Sequence, residues 1–246
     1  MKQTSRNAFL AILLSGIAGT AEANSTDCRQ ALALGLDVSG SVDALEYRLQ
    51  LDGLASALGT PAVKNALLAM PSAPIQLLVY EWSGATDQHL IADWTAIETA
   101  ADISILQETL RQVLRREAAP GTALGPSMRT GAAHLDRRPH CWKRTLDISG
   151  DGKANSGDHP KGVRAELEAK GITLNALVIG ADTSGLADLK QAELGELSSY
   201  FRVNVITGPD AFVQTALGYE EYAQAMARKL ERELEGLVVS SLFPEN

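Results

Sequence analysis

What this sequence lacks narrows it first. Of 246 residues only two are cysteine, Cys28 and Cys141, and only four are histidine, His89, His134, His140 and His159. The histidines are scattered without paired ligand spacing, so no imidazole metal site is legible. Net positive charge is absent: the formal charge of −8 argues against nucleic acid as a general partner. No segment beyond the first 23 residues is long and apolar enough to span a bilayer. There is no internal repeat and no low-complexity linker, and no Gly-x-Ser-x-Gly elbow marks a serine hydrolase.

What is present is an ordinary globular composition, 45% hydrophobic and 21% charged, for which one domain with a substantial core is a sufficient account. Residues 1–23 are set apart from it. Lys2 and Arg6 make a basic start, Ala8 to Ile17 is apolar, and Ala21-Glu22-Ala23 is a small-x-small site. This is the pattern of a secretory signal cleaved after Ala23, leaving 24–246 as the mature domain in the periplasm or outside a bacterial cell. A buried helix or an uncleaved anchor is the competing interpretation, though the run is short for a span of about 20 residues. No cysteine stands directly after it at the cleavage position, where Asn24 follows Ala23, which disfavours a lipid anchor. In an oxidising compartment Cys28 and Cys141 are most simply one disulfide; two free thiols are the alternative.

The periodicity alternates strands with helices. Expected strands are Gln30 to Leu36, Ile75 to Trp82, Leu90 to Trp94, Arg144 to Ile148, Ile172 to Ile179 and a short last piece near Ala211 to Val213. Expected helices are Ala44 to Leu58, Pro61 to about Met70, Ile103 to Leu114, Leu124 to Leu135, Val163 to Lys170, Leu186 to Leu197 and Tyr219 to Leu237. In the last helix Tyr219, Tyr222, Met226, Leu230, Leu234 and Leu237 form the apolar face, while Arg228, Lys229, Glu231, Arg232 and Glu235 are expected in water. Trp82, Trp94 and Trp142 fall at strand ends, where core packing is the default. Asp87 and Asp93 look solvated. The pattern predicts an α/β fold: a doubly wound, mostly parallel sheet covered on both faces, with one antiparallel edge strand made by the close pair at 75–82 and 90–94.

In such a sheet ligands bind beyond the carboxyl ends of strands, where strand order reverses. Asp37 and Asp151 both fall at such ends. Cys28 precedes Asp37 by nine residues and Cys141 precedes Asp151 by ten, so adjacent parallel strands would bring both cysteines to the opposite end. After Asp37 come Ser39 and Ser41; one carboxylate and two hydroxyls spaced by two converge when a loop curls, and such hard oxygen donors suit Mg²⁺ or Mn²⁺. Two further pieces are Gly121-Thr122-Ala123-Leu124-Gly125 and Ile148-Ser149-Gly150-Asp151-Gly152. Asp37-x-Ser39-x-Ser41, Thr122 in its glycine-flanked loop and the aspartate-glycine at 151 together resemble the metal-ion-dependent adhesion site of von Willebrand factor A domains. The resemblance covers essentially residues 24–246. Gly150 departs from the commoner threonine at that place. Ser149 to Asn155 and Gly208-Pro209-Asp210-Ala211-Phe212-Val213 look like a bacterial, exported, single-domain subfamily of unknown function.

The resemblance implies that Ser39, Ser41 and Thr122 offer hydroxyls to a divalent ion, that Asp37 and Asp151 hold it directly or through water, and that a carboxylate from a protein partner completes its shell. The protein would then be an exported adhesion-type binding module, monomeric, and not an enzyme. Each residue also has a plainer role: Ser39, Ser41 or Asp43 as the cap of the helix at Ala44, Thr122 or Asp151 as turn residues. The competing function is an aspartyl-nucleophile phosphohydrolase using Asp37 and Mg²⁺. That chemistry needs an acid two residues after the nucleophile, where Ser39 stands, and another near 155 or 156, where Asn155 and Ser156 stand.

Overall fold

The computed structural model describes residues 27–180 and 187–242. The expected signal segment 1–23 and the side chains of Glu235 and Leu237 lie outside the described residues. Six strands form one sheet: β1 (Cys28–Asp37), β2 (Ile75–Trp82), β3 (Gln88–Ile97), β4 (Cys141–Gly150), β5 (Thr173–Ile179) and β6 (Val213–Ala216). Their order is β3-β2-β1-β4-β5-β6, and only the β2–β3 pair is antiparallel. The chain winds from β1 outward to β2 and β3, then returns to lay β4 on the other side of β1. Strand order therefore reverses between β1 and β4, the expected place for a site.

Both faces are covered because these strands are apolar on both sides. Leu32, Leu34 and Leu36 of β1 face α1 (Ala44–Leu58), α2 (Pro61–Leu68), α3 (Ala100–Gln112) and α7 (Tyr222–Leu242). Ala31 and Ala33 face the layer of α4 (Leu124–Asp136), α5 (Pro160–Ala169) and α6 (Ala187–Asn204). The small residues let α4 approach closely. At Gly35 an added Cβ would lie 2.6 Å from the Tyr80 hydroxyl, which donates to the Ser127 carbonyl at 2.9 Å.

Cys28 and Cys141 are register partners across β1 and β4 and are bonded, with 4.4 Å between their Cα atoms. They lie at the end of the sheet opposite Asp37. β1 begins at Cys28 rather than Gln30 and β4 at Cys141 rather than Arg144, since the pairing runs on to the bonded cysteines. β3 extends over Gln88–Ile97, beyond the expected Leu90 to Trp94, because it follows β2 along its whole length.

Three expectations are corrected. Lys229 is not in water; it is 0% exposed, inside α7, and ion-paired with Asp147 of β4 and, at 3.3 Å, with Glu233 one turn on. Asn175 of β5 donates to Glu233 and accepts from the Phe212 amide at 3.0 Å. Burial first, then the charge of Glu233, hold the Asp147 carboxyl well above the usual carboxylate range, with Lys229 opposing them. Trp142 is not in the core but 60% exposed, on the outward side of a strand end. Asp87 is not merely solvated: its carboxylate pairs with Arg116 at 2.6 Å and accepts from the Ala119 amide and the Ser83 hydroxyl, each at 2.7 Å.

Candidate metal centre at the switch point

Asp37 is the last residue of β1 and is fully buried. Its Oδ1 accepts the Ser39 amide at 2.8 Å, which curls the following loop back on the strand end. Gln50 of α1 donates to the Asp37 carbonyl at 2.9 Å and fixes the peptide beneath. Asp43, not a serine, caps α1: its Oδ1 accepts from Leu45 and Glu46 amides at 2.7 and 2.9 Å, and Glu46 accepts the Asp43 amide at 2.7 Å. This capping box leaves the hydroxyls of Ser39 and Ser41 free of the helix end.

Those hydroxyls enter one chain of oxygens. Thr122 Oγ1 lies 3.3 Å from Ser39 Oγ, Ser39 Oγ lies 3.3 Å from Ser41 Oγ, and Ser41 Oγ donates to Asp151 Oδ1 at 2.8 Å. All five expected residues thus meet at the carboxyl ends of β1 and β4. The end of β4 passes directly over Asp37, and a Cβ at Gly150 would lie 3.3 Å from Asp37 Oδ2.

Tyr219 also joins the site. It sits in a short 3₁₀ turn (Tyr219–Glu221) ahead of α7, and its hydroxyl donates to Asp151 Oδ2 at 3.4 Å. Burial, then the charges of Asp151 and Asp37, hold its phenol well above the ordinary value. The sequence placed Tyr219 on the apolar face of the last helix, and nothing local distinguishes a tyrosine whose ring is core and whose hydroxyl serves a site 68 residues away.

The loop carrying Thr122 is strapped down from several sides. Arg115 donates to the Val42 carbonyl, and Arg116 bridges Glu81 and Asp87. The Gly40 amide donates to the Pro120 carbonyl at 3.1 Å, and the Ala123 amide to the Ser83 carbonyl at 2.8 Å. These arginines lie in a stretch with no motif, so their function was invisible before the loops were in place.

The residues present fit a hard divalent cation. Asp37 Oδ2 is buried with no hydrogen-bond partner. Among the described residues no Lys or Arg pairs with Asp37 or Asp151. Burial, then the neighbouring Asp151, push the Asp37 carboxyl up to about 8, and burial raises Asp151 as well. Two carboxylates drawn together without a counter-charge, ringed by neutral hydroxyls, make an oxygen-only donor set. Among the described residues no group of three or more His, Cys, Asp or Glu could hold a metal, so any ion here must draw on hydroxyls too.

Comparison with solved structures places the fold. Proximal thread matrix protein 1 of the mussel byssus superposes with a TM-score of 0.59 at 16% identity, covering 85% of this chain and 49% of that one. The same protein is also solved with a zinc-occupied MIDAS motif, at a TM-score of 0.58 and 14% identity, covering 85% of this chain and 47% of that one. The vWF domain of the type V pili tip protein Mfa5 from Porphyromonas gingivalis gives 0.59 at 9% identity, over 86% of this chain and 97% of that one. The von Willebrand factor type A protein from Catenulispora acidiphila gives 0.55 at 14% identity, over 84% and 43%. The chain thus spans about half the length of the mussel protein. Among curated proteins no sequence matches significantly. The fold is that of a von Willebrand factor A domain. The chain belongs to the family of proteins of unknown function DUF1194, whose pattern matches residues 27–238.

Proposed function

We propose that this protein is an exported, monomeric, metal-dependent protein-binding module. Asp37, Ser39, Ser41, Thr122 and Asp151 would hold Mg²⁺ or Mn²⁺, with residues 1–23 serving as the export signal. The observation that carries the proposal is the buried, unpartnered Asp37 Oδ2 beside Asp151, with three hydroxyls gathered around the pair. A bound divalent ion would supply a position open to an acidic side chain of a partner. The chain's own part is to hold two carboxylates and three hydroxyls fixed by loops tied to the sheet, so that little order is lost on binding. That solved relatives of this fold include a pilus tip domain and a byssus matrix protein agrees with a binding rather than a catalytic function.

The phosphohydrolase alternative is not favoured. Ser39 is tied to Thr122 and Ser41, Asn155 is engaged with Thr122, and none of Ser39, Asn155 and Ser156 carries a carboxyl, so neither place offers a general acid. Capture of partners from an envelope extract tests the proposal: binding in Mg²⁺, lost in EDTA and with Asp37→Ala, is expected. Capture indifferent to both, or hydrolysis of an aryl phosphate abolished by Asp37→Asn, would overturn it.

A further inference from the structure

Asn155 makes an unusual pair of bonds for an exposed loop residue. Its side-chain Oδ1 accepts the Thr122 amide at 2.8 Å, and its own amide donates to the Thr122 carbonyl at 3.0 Å. Residue 122 is therefore gripped on both sides of its Cα by a residue four positions after Asp151. The two loops also abut without slack. A Cβ on Gly121 would lie 2.9 Å from the Ser156 Cβ, so only glycine lets the loops close. The Asp151 loop is anchored in turn to α6, where the Tyr200 hydroxyl accepts the Ala154 amide at 3.3 Å.

We infer that Asn155 is a positioning residue: it joins Thr122 to the Asp151 loop so that a hydroxyl and a carboxylate of the site hold one fixed separation. The inference rests on the proposed metal site and deepens it. Thr122 Oγ1 is the far end of the oxygen chain, 3.3 Å from Ser39 Oγ, and among the described residues no other hydrogen bond joins Thr122 to the loop of Asp151. Residues that orient a metal ligand from outside its shell typically affect affinity about 10- to 100-fold.

The test is calorimetric titration of the full protein with Mg²⁺ and Mn²⁺, beside amide hydrogen exchange at Thr122 without metal. Asn155→Ala should weaken binding about 10-fold or more and speed exchange at Thr122. Asn155→Asp keeps the acceptor and should retain both the affinity and the protection. In a Thr122→Val background Asn155→Ala should cost no further affinity, since its effect passes through the lost hydroxyl. Unchanged affinity in Asn155→Ala, equal losses in the Ala and Asp variants, or additive losses with Thr122→Val would each overturn the inference. A wild type that takes up no metal would sink the site itself. The exchange arm would still decide whether Asn155 holds Thr122.

Discussion

Lys229→Met should be among the most damaging single substitutions in the chain, although Lys229 lies 78 or more residues in sequence from every expected metal-site residue. Its ammonium is fully buried between Asp147 and Glu233 and, among the described residues, is the single cation paired with those two acids. Methionine nearly matches the length and volume of the lysine stem, so the cavity contribution is small. What remains is two carboxylates facing each other in a dry place. Breaking a buried pair in this way costs about 3–5 kcal/mol. For a domain of this size about 1 kcal/mol corresponds to roughly 2–4 °C, so the melting temperature should fall by roughly 6–20 °C. The loss should depend on pH in a defined sense. Burial and then Glu233 already raise the Asp147 carboxyl, and Lys229 opposes them. Without Lys229 it rises further. A group whose folded value lies above its unfolded value contributes stability that is full below the unfolded value and lost as pH rises through the folded one. The deficit of the variant should therefore grow from acidic toward alkaline pH. Adding Asp147→Asn should recover part of it. Thermal unfolding by circular dichroism over a pH series measures all three. A variant melting within about 2 °C of wild type at neutral pH would refute the reasoning.

Removing the disulfide by Cys28→Ala and Cys141→Ala should destabilise the fold by about 2–5 kcal/mol, since the bond closes a separation of 113 residues; chemical denaturation with and without reductant measures it. Gly125→Ala should lower stability by about 2 kcal/mol or more, because its Cβ would lie 2.1 Å from the Asp158 carbonyl oxygen and that backbone cannot easily yield; a melting temperature equal to wild type would contradict this. Mg²⁺ affinity should rise as pH is raised from about 6 to about 9, because burial and then Asp151 push the Asp37 carboxyl up to about 8, so that below this pH the ion competes with a proton. Calorimetry in buffers of different ionisation enthalpy would show the proton release; a flat pH profile would contradict it.

The fold was largely legible because its signals are local. Apolar runs ending in Asp37 and Asp151, helices opened by Pro61 and closed by Gly171, and the short step from Trp82 to the expected strand at Leu90 mark the elements and the antiparallel edge without tertiary information. The five converging residues were legible through the resemblance carried by three separated motifs, with Asp37 and Asp151 also marked by their places at strand ends. Long-range pairing set what was missed. Lys229 occupies a position that looks solvated by helical spacing, and only the meeting of α7 with β4 and β5 buries it against Asp147. The end of α6 moved from the expected Leu197 to Asn204, since Phe201 is drawn into the core beneath Gly150. Tyr219, Asn155 and Arg116 act on the site through contacts 33 to 68 residues distant in sequence, or 35 in the case of Arg116 with Glu81, and no spacing rule reaches that far.

The most direct measurement is titration of the protein with Mg²⁺, Mn²⁺ and, for comparison, Zn²⁺, up to millimolar concentrations, beside Asp37→Ala and Ser39→Ala. Saturable binding of Mg²⁺ or Mn²⁺ by the wild type, absent from both folded variants, is the expected result. A folded wild type that binds none of the three ions, or variants that bind as the wild type does, would contradict the metal site and leave a von Willebrand factor A domain that meets its partners by another surface.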